Sequence, residues 1–249
     1  MSLINTTSFE LAIYSKGNPN SLKLALVLPG RLDTKDYAHM KSHVDYLASK
    51  GFFAVSFDPP GTWESPGDIS LYTMSNYLKA INEVIEYYGN KPTFVMGHSR
   101  GATMAMLVGT KNPYVTAFAA IFSSFSKGGY TTKEKDKEWK RLGYLLETRD
   151  LPPGGGPKVK EIKLPYAFFE DQSQHNMTED LKQSPKPKLF VYGNTDVLAP
   201  PKVVKEMYEI SSNPKELHSL DSGHDYRLKP QSINEANKIL GRFLSKHNL

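Results

Sequence analysis

An α/β fold, a mainly parallel doubly wound sheet with a small inserted cap, is predicted by three features of this 249-residue sequence. Apolar runs of strand length alternate with segments of helical period, roughly one pair every 20 to 35 residues, the rhythm of parallel strands joined by helices. That rhythm breaks once, over residues 126–187. One strand-like run also passes into a helix-like run through Gly97-His98-Ser99-Arg100-Gly101, a G-x-S-x-G pentapeptide. A strand turning sharply into a helix needs glycines on either side of the turn and leaves the serine hydroxyl exposed at its tip.

Taken in order, Phe9 to Tyr14 reads as an early strand, and Asn18-Pro19-Asn20-Ser21 as the turn after it. Leu24 to Leu28 is continuously apolar, as a strand covered on both faces would be, and it ends at Pro29-Gly30-Arg31. Tyr37, Met40, Val44 and Leu47 recur at helical spacing and stop at Lys50-Gly51. Phe52 to Phe57 is the next buried strand, followed by Asp58-Pro59-Pro60-Gly61. Met74, Leu78, Ile81 and Ile85 write the next helix, which closes at Gly89-Asn90. After the strand and helix around Ser99 comes a strand at Ala117 to Phe122. Such alternation implies right-handed crossovers, with ligands held beyond the carboxyl ends of the strands, where Ser99, Pro29-Gly30-Arg31 and Asp58 all fall.

The core is thus assigned to residues 1–125 and 188–249, and the cap to 126–187. Within the cap the sequence predicts one charged helix between Thr131 and Thr148. The stretch Leu151-Pro152-Pro153-Gly154-Gly155-Gly156-Pro157 excludes regular structure, and a short helical stretch follows near Met177 to Lys182. Order resumes with a strand at Lys188 to Tyr192, a helix at Val203 to Ile210, a strand at Leu217 to Leu220, and a last helix through Ile233, Ala236, Leu240, Phe243 and Leu244. No internal repeat is present.

Composition narrows the function. Hydrophobic residues at 39% and charged residues at 23% are ordinary for a soluble globular chain. The net charge of +5 comes from lysines scattered or mixed with acids, as in Lys133-Glu134-Lys135-Asp136-Lys137-Glu138, which reads as a solvated face rather than a nucleic-acid surface. The absence of cysteine excludes disulfides, thiolate catalysis and cysteine-ligated metals. No stretch approaches the roughly 18 apolar residues of a spanning helix, and Met1 to Thr7 lacks the pattern of a leader, so the expectation is a cytoplasmic protein without a membrane span. Gly154-Gly155-Gly156 has neither a preceding strand nor a following lysine-serine pair, and no histidine–carboxylate spacing suits a metal. Neither cofactor nor metal is expected.

A serine hydroxyl is a poor nucleophile until a base takes its proton. Of the seven histidines, His224 in Asp221-Ser222-Gly223-His224-Asp225 is the best placed, directly after the last strand and so at the same end of the sheet as Ser99. His39 and His43 read as helix positions, His175 as part of the cap, His218 as strand and His247 as tail. His98 is expected to point away from the pocket. An acid is needed to orient the imidazole, and Asp196, leaving the end of the preceding strand, is the natural third member. Asp221 and Asp225 are rivals, although close neighbours in sequence rarely face each other. The loop Ser123-Ser124-Phe125-Ser126 carries no acid.

The order Ser99, Asp196, His224 on alternating strands and helices resembles the α/β-hydrolase superfamily, serine esterases and lipases among them, over nearly the whole chain. The resemblance implies an oxyanion hole made by the amide after the nucleophile, Arg100, and one from the loop after the first core parallel strand, Arg31. Many members have His-Gly where this chain has Pro29-Gly30. Asp58-Pro59-Pro60-Gly61-Thr62-Trp63-Glu64-Ser65 is similar to the family's Asp-x-x-Gly-x-x-x-Ser loop at the pocket rim. The expected function is a serine hydrolase, of the carboxylesterase or lipase kind, acting on a small carboxylic ester or related acyl compound. The same triad acting on a peptide, thioester or carbon–carbon bond, and a non-catalytic ligand-binding protein, are the alternatives.

Both oxyanion positions are arginines. Their side chains are expected either to pair with Asp33, Asp58 or Asp68, or to reach the mouth and favour an anionic substrate. Gly30, Trp63, Tyr166 and Phe168 are candidates for substrate contact. Trp63, Tyr130, Trp139, Tyr166, Phe168 and Phe169 would line a pocket beneath the cap or form the cap's own small core. Oligomeric state is not legible in the sequence.

Overall fold

The computed structural model describes residues 2–123 and 133–249. The first half of the chain forms β1 (Ser2–Asn5), β2 (Glu10–Lys16), β3 (Leu24–Leu28), α1 (Ala38–Ser49), β4 (Phe53–Phe57), α2 (Met74–Tyr87), β5 (Thr93–His98), α3 (Arg100–Lys111) and β6 (Val115–Ile121). The chain then forms α4 (Lys133–Leu142), β7 (Tyr144–Asp150), β8 (Val159–Pro165), α5 (Ala167–Gln172) and α6 (Thr178–Gln183). It closes with β9 (Lys188–Gly193), α7 (Pro201–Ile210), β10 (Lys215–Leu220) and α8 (Pro230–Lys246).

Eight strands make one sheet in the order β1-β2-β4-β3-β5-β6-β9-β10, parallel from β4 to β10, with β1 and β2 antiparallel at one edge. The apolar runs have a simple cause. All five side chains of β3 are buried because helices cover both faces of the sheet. Alternate residues divide between the faces: Leu24, Leu26 and Leu28 join a core with α2, α3 and α7, while Ala25 and Val27 join one with α1 and α8. Thr73 caps α2 by accepting the Asn76 amide at 3.0 Å.

β6 and β9 are paired neighbours, so everything between them is an excursion from the sheet. Here the structure corrects the sequence reading. The charged helix stops at Leu142; Gly143 adopts φ 79°, and Tyr144 onward forms β7, which pairs antiparallel with β8 from Tyr144↔Pro165 to Asp150↔Val159. The Pro-Gly stretch is the hairpin loop. Ile162, Leu164, Phe168, Met177 and Leu181 bury themselves in the α2/α3 core rather than forming a separate one. The edge strand β1 was also not read from the sequence.

Candidate active site

Ser99 sits between β5 and α3 with φ 53° and ψ −117°, a backbone conformation that side chains rarely adopt. The neighbouring glycines make it possible. A Cβ on Gly97 would run into the Gly101 backbone, and one on Gly101 would run into the Leu28 and Pro29 carbonyls. The Ser99 amide donates to the Ile121 carbonyl at 2.9 Å, and the Ser99 carbonyl accepts the amides of Ala102 and Thr103. The serine therefore stands at the N-terminus of α3, where the helix dipole favours negative charge.

Three predicted side chains meet at this end of the sheet. His224 Nε2 lies 2.9 Å from Ser99 Oγ, and His224 Nδ1 lies 2.8 Å from Asp196 Oδ2. The other Asp196 oxygen accepts the amides of Leu198 and Ala199 at 2.8 and 2.9 Å. Burial alone would push this carboxyl up; the contact with His224 and the two amides more than offset it and hold the group below the usual carboxylate range. The rivals lie elsewhere. Asp221 is exposed, and Asp225 turns its side chain to solvent and to Arg227 Nε at 3.3 Å.

The loop after β3 is held at every carbonyl. Pro29 accepts the Tyr77 hydroxyl at 3.2 Å and Gly30 the Asp33 amide at 3.1 Å. Arg31 accepts Arg149 Nη2 at 2.7 Å and Nε at 3.2 Å, and Leu32 accepts the Trp63 indole at 2.9 Å. The Leu32 amide, at φ 58°, donates to the Tyr72 hydroxyl at 3.2 Å. Among the described residues the Arg31 amide has no protein partner.

The arginine side chains are not paired as expected. Arg31 Nη2 binds Glu147 of β7 at 2.6 Å, while Arg100 donates to Gln172 Oε1 and Met74 Sδ and lies over the Phe168 ring. Asp58 instead belongs to Lys35, and Asp68 caps a short turn at Ser70.

A cavity of about 390 Å³ opens over Ser99 and His224. Arg31, Arg100 and Arg149 line it, and the excursion adds the polar residues Gln172, Ser173, His175 and Asn176; Met74, Met177 and Leu198 are the apolar contributions. None of the aromatic candidates among the described residues lines it. Trp63 props the β3 loop, Phe168 stacks on Tyr72 with ring centres 5.1 Å apart, and Tyr166 packs on Phe169 with its hydroxyl near Asp136. Trp139 stacks on Phe169. Gly30 is absent from the lining too, its α-carbon being packed against the Asp33 carboxylate and the His98 carbonyl. Tyr130 and the loop positions 124–126 lie outside the described residues.

Behind the triad lies a buried polar group that the sequence reading missed. His98, rather than pointing away, places its ring 5.1 Å from that of His224 and its Nε2 3.0 Å from the His224 carbonyl. Its Nδ1 is 3.6 Å from Asp33, which Arg149 Nε approaches to 3.7 Å. Burial tends to raise the Asp33 carboxyl, but His98 and Arg149 hold it well below the ordinary range. His43 bridges the Tyr226 hydroxyl at 2.7 Å and Asn237 at 2.6 Å, fixing the turn after His224 against α1 and α8; burial pushes it down to about 4, so it is neutral. Only its helical spacing in α1 hinted at an inward position.

Among the described residues two groups have donor atoms close enough for a metal, Asp33 with His39 and His98, and Asp36 with Asp58 and Glu64. The second is filled by the Lys35 ammonium, which reaches all three carboxylates within 3.3 Å. At the first, Asp33 already faces Arg149 and His98. Among the described residues no helix is long and apolar enough to cross a membrane.

A family model described as alpha/beta hydrolase fold matches residues 26–124. No curated protein matches the sequence. Among solved structures, alpha/beta hydrolase domain-containing protein 10 from mouse superposes with a TM-score of 0.77 at 18% identity, covering 98% of both chains. Est1E from Butyrivibrio proteoclasticus, solved with ferulic acid, gives 0.74 at 17% identity over 99% of this chain and 98% of that one. The monoacylglycerol lipase of Paleococcus ferrophilus gives 0.74 at 20% identity over 95% and 99%.

Proposed function

We propose that this chain, which belongs to the α/β-hydrolase superfamily, is a serine hydrolase that cleaves small, polar carboxylic esters or related acyl compounds through an acyl-enzyme. The observation that carries this reading is the continuous contact Asp196–His224–Ser99, at 2.8 and 2.9 Å, on the strained turn at the head of α3. Ser99 Oγ attacks the acyl carbon while His224 Nε2 takes its proton. Asp196 holds the imidazole in the tautomer with its free lone pair toward the serine and balances the charge that develops on it. The amides of Arg31 and Arg100 receive the oxyanion. His224 returns the proton to the leaving alcohol, and water then releases the acyl group by the same steps in reverse.

The segment between β6 and β9 serves as the cap and supplies one wall of the pocket. Its polar lining and the cavity's modest volume favour short, hydrogen-bonding acyl or alcohol groups over long hydrocarbon chains. The Paleococcus structure, named a monoacylglycerol lipase, is consistent with ester cleavage on this fold. A fluorophosphonate probe is expected to label the wild-type protein and not Ser99→Ala, and nitrophenyl acetate or butyrate turnover to fall to background in that variant. Undiminished ester turnover by Ser99→Ala would end this reading.

A further inference from the structure

The loop after β3 carries the amide assigned above to the oxyanion hole, and its geometry depends on the hydrogen bonds at its carbonyls. Three of the four carbonyls from Pro29 to Leu32 are held from within the core, by Tyr77, Asp33 and Trp63. The fourth, Arg31, is held by Arg149, 118 positions away on β7 of the inserted hairpin. On the same strand, two residues back and so on the same face, Glu147 takes the Arg31 side chain at 2.6 Å. Residue 31 is therefore gripped at its guanidinium and at its carbonyl by one strand of the insert.

The hairpin is itself anchored. Arg227 binds Asp150 through two nitrogens at 2.8 and 2.9 Å, and the Tyr37 hydroxyl donates to the Asp150 carbonyl at 2.8 Å. Arg227 follows His224 by three residues, so the clasp joins the hairpin to the turn bearing the general base. With the Leu32 amide bound to Tyr72, the peptide plane between Arg31 and Leu32 is fixed at both its oxygen and its hydrogen. The preceding plane, whose hydrogen is the Arg31 amide, is fixed at its oxygen alone, and that amide keeps its hydrogen for a ligand.

We infer that Arg149 is a positioning residue for the oxyanion hole: by holding the Arg31 carbonyl, the inserted hairpin pins the α-carbon of residue 31 and the plane that follows it, and together with Asp33 on the Gly30 carbonyl this fixes where the Arg31 amide stands, so the hole is complete only with the hairpin seated. This rests on the serine-hydrolase reading and adds to it a part played by the cap in the chemical step. The oxyanion forms only on the way to the transition state, so the effect belongs in kcat rather than in KM. A guanidinium clamp also has a property that mere packing lacks. Removing the side chain leaves a site that free guanidinium can refill.

The experiment compares steady-state turnover of nitrophenyl butyrate by wild type, Arg149→Ala, Arg149→Lys and Ser99→Ala, with melting temperatures alongside. For Arg149→Ala, kcat is expected to fall on the order of 10²-fold, the scale of a misaligned oxyanion donor, with KM within about threefold of wild type. Low millimolar guanidinium is expected to restore part of the loss. Arg149→Lys, which keeps the charge but not the two-pronged donor, is expected to fall in between, and it carries the test if the alanine variant does not fold. A wild-type kcat in Arg149→Ala, a loss confined to KM, or a loss that guanidinium leaves untouched overturns the inference. Ser99→Ala separates the two levels. If it retains turnover, the hydrolase reading fails; if it is dead while Arg149→Ala is unaffected, only the positioning role fails.

Discussion

At the residue scale, the site depends on a strained serine and on the small neighbours that permit it. Non-glycine residues at φ near 53° cost on the order of 1 kcal/mol or more and persist where the surroundings over-determine them. Gly101 is the most exacting neighbour, because its α-carbon lies against the Leu28 and Pro29 carbonyls at the end of β3. A Gly101→Ala change must part β3 from α3. It is expected to destabilise the fold by about 3 kcal/mol or more, measured by denaturant unfolding, since neither backbone can yield cheaply. Asp196 gives a contrasting case. Asp196→Asn keeps the shape, but the amide no longer enforces the reactive tautomer of His224. An expected loss in kcat of roughly 10³- to 10⁴-fold with little change in melting temperature would distinguish an electrostatic role from a structural one.

At the element scale, the inserted hairpin is where sequence and structure part company, and the reason is physical. The run Lys133 to Glu138 reads as helix and is helix, but nothing in Tyr144 to Asp150 separates a continuing helix from a strand. Its side chains are exposed or half-buried throughout, so no alternating pattern is imposed on them. What makes it a strand is pairing with Val159–Pro165, a partner no local window contains. The grip of Glu147 and Arg149 on Arg31 was invisible for the same reason. By contrast β3 and β9, buried on both faces, announced themselves within a residue or so. The hairpin's clasp also has a pH dependence with a definite sign. Burial opposes ionisation of Asp150, but Arg227 outweighs it and lowers the carboxyl to about 2 from an ordinary value near 3.8. A depressed folded-state pKa means the unfolded form binds more protons in that window. The clasp's contribution is whole above the unfolded value and lost as pH falls through about 2. Hydrogen-exchange protection in β7 and β8, taken relative to the intrinsic exchange rate at each pH, is expected to fall between pH 4 and 2 in wild type, and to be low already at neutral pH in Asp150→Ala.

At the scale of the whole molecule, two cores clasp one sheet, and the chain must re-enter that sheet after its long excursion. Asp196 and His224, both C-terminal to that re-entry, were legible because each follows a strand in the sequence. The strand start at Lys188 was read as well, but the burial of its side chain was not, because a lysine reads there as an ordinary charged strand end. It is fully buried, and its Nζ donates to the Ser184 carbonyl at 2.9 Å and the Ser212 carbonyl at 2.8 Å, tying the end of the excursion to the turn before β10. Burial, with Lys215 adding a like charge, lowers its pKa from 10.5 to about 8. A neutral amine still offers two hydrogens, one for each carbonyl, so deprotonation relieves the desolvation cost without breaking the tie. The sign follows: between about 8 and 10.5 the unfolded chain holds a proton that the folded chain has released, so this residue's contribution to stability rises with pH. Other groups titrate in the same range, and a comparison with Lys188→Met, matched at each pH, cancels them. The wild type is expected to gain on the variant by up to about 3 kcal/mol from pH 7.5 to 10.5, read from urea unfolding. A difference between the two proteins that stays flat with pH would mean that the ammonium stays charged inside the fold and that its hydrogen bonds, not its deprotonation, make its burial tolerable.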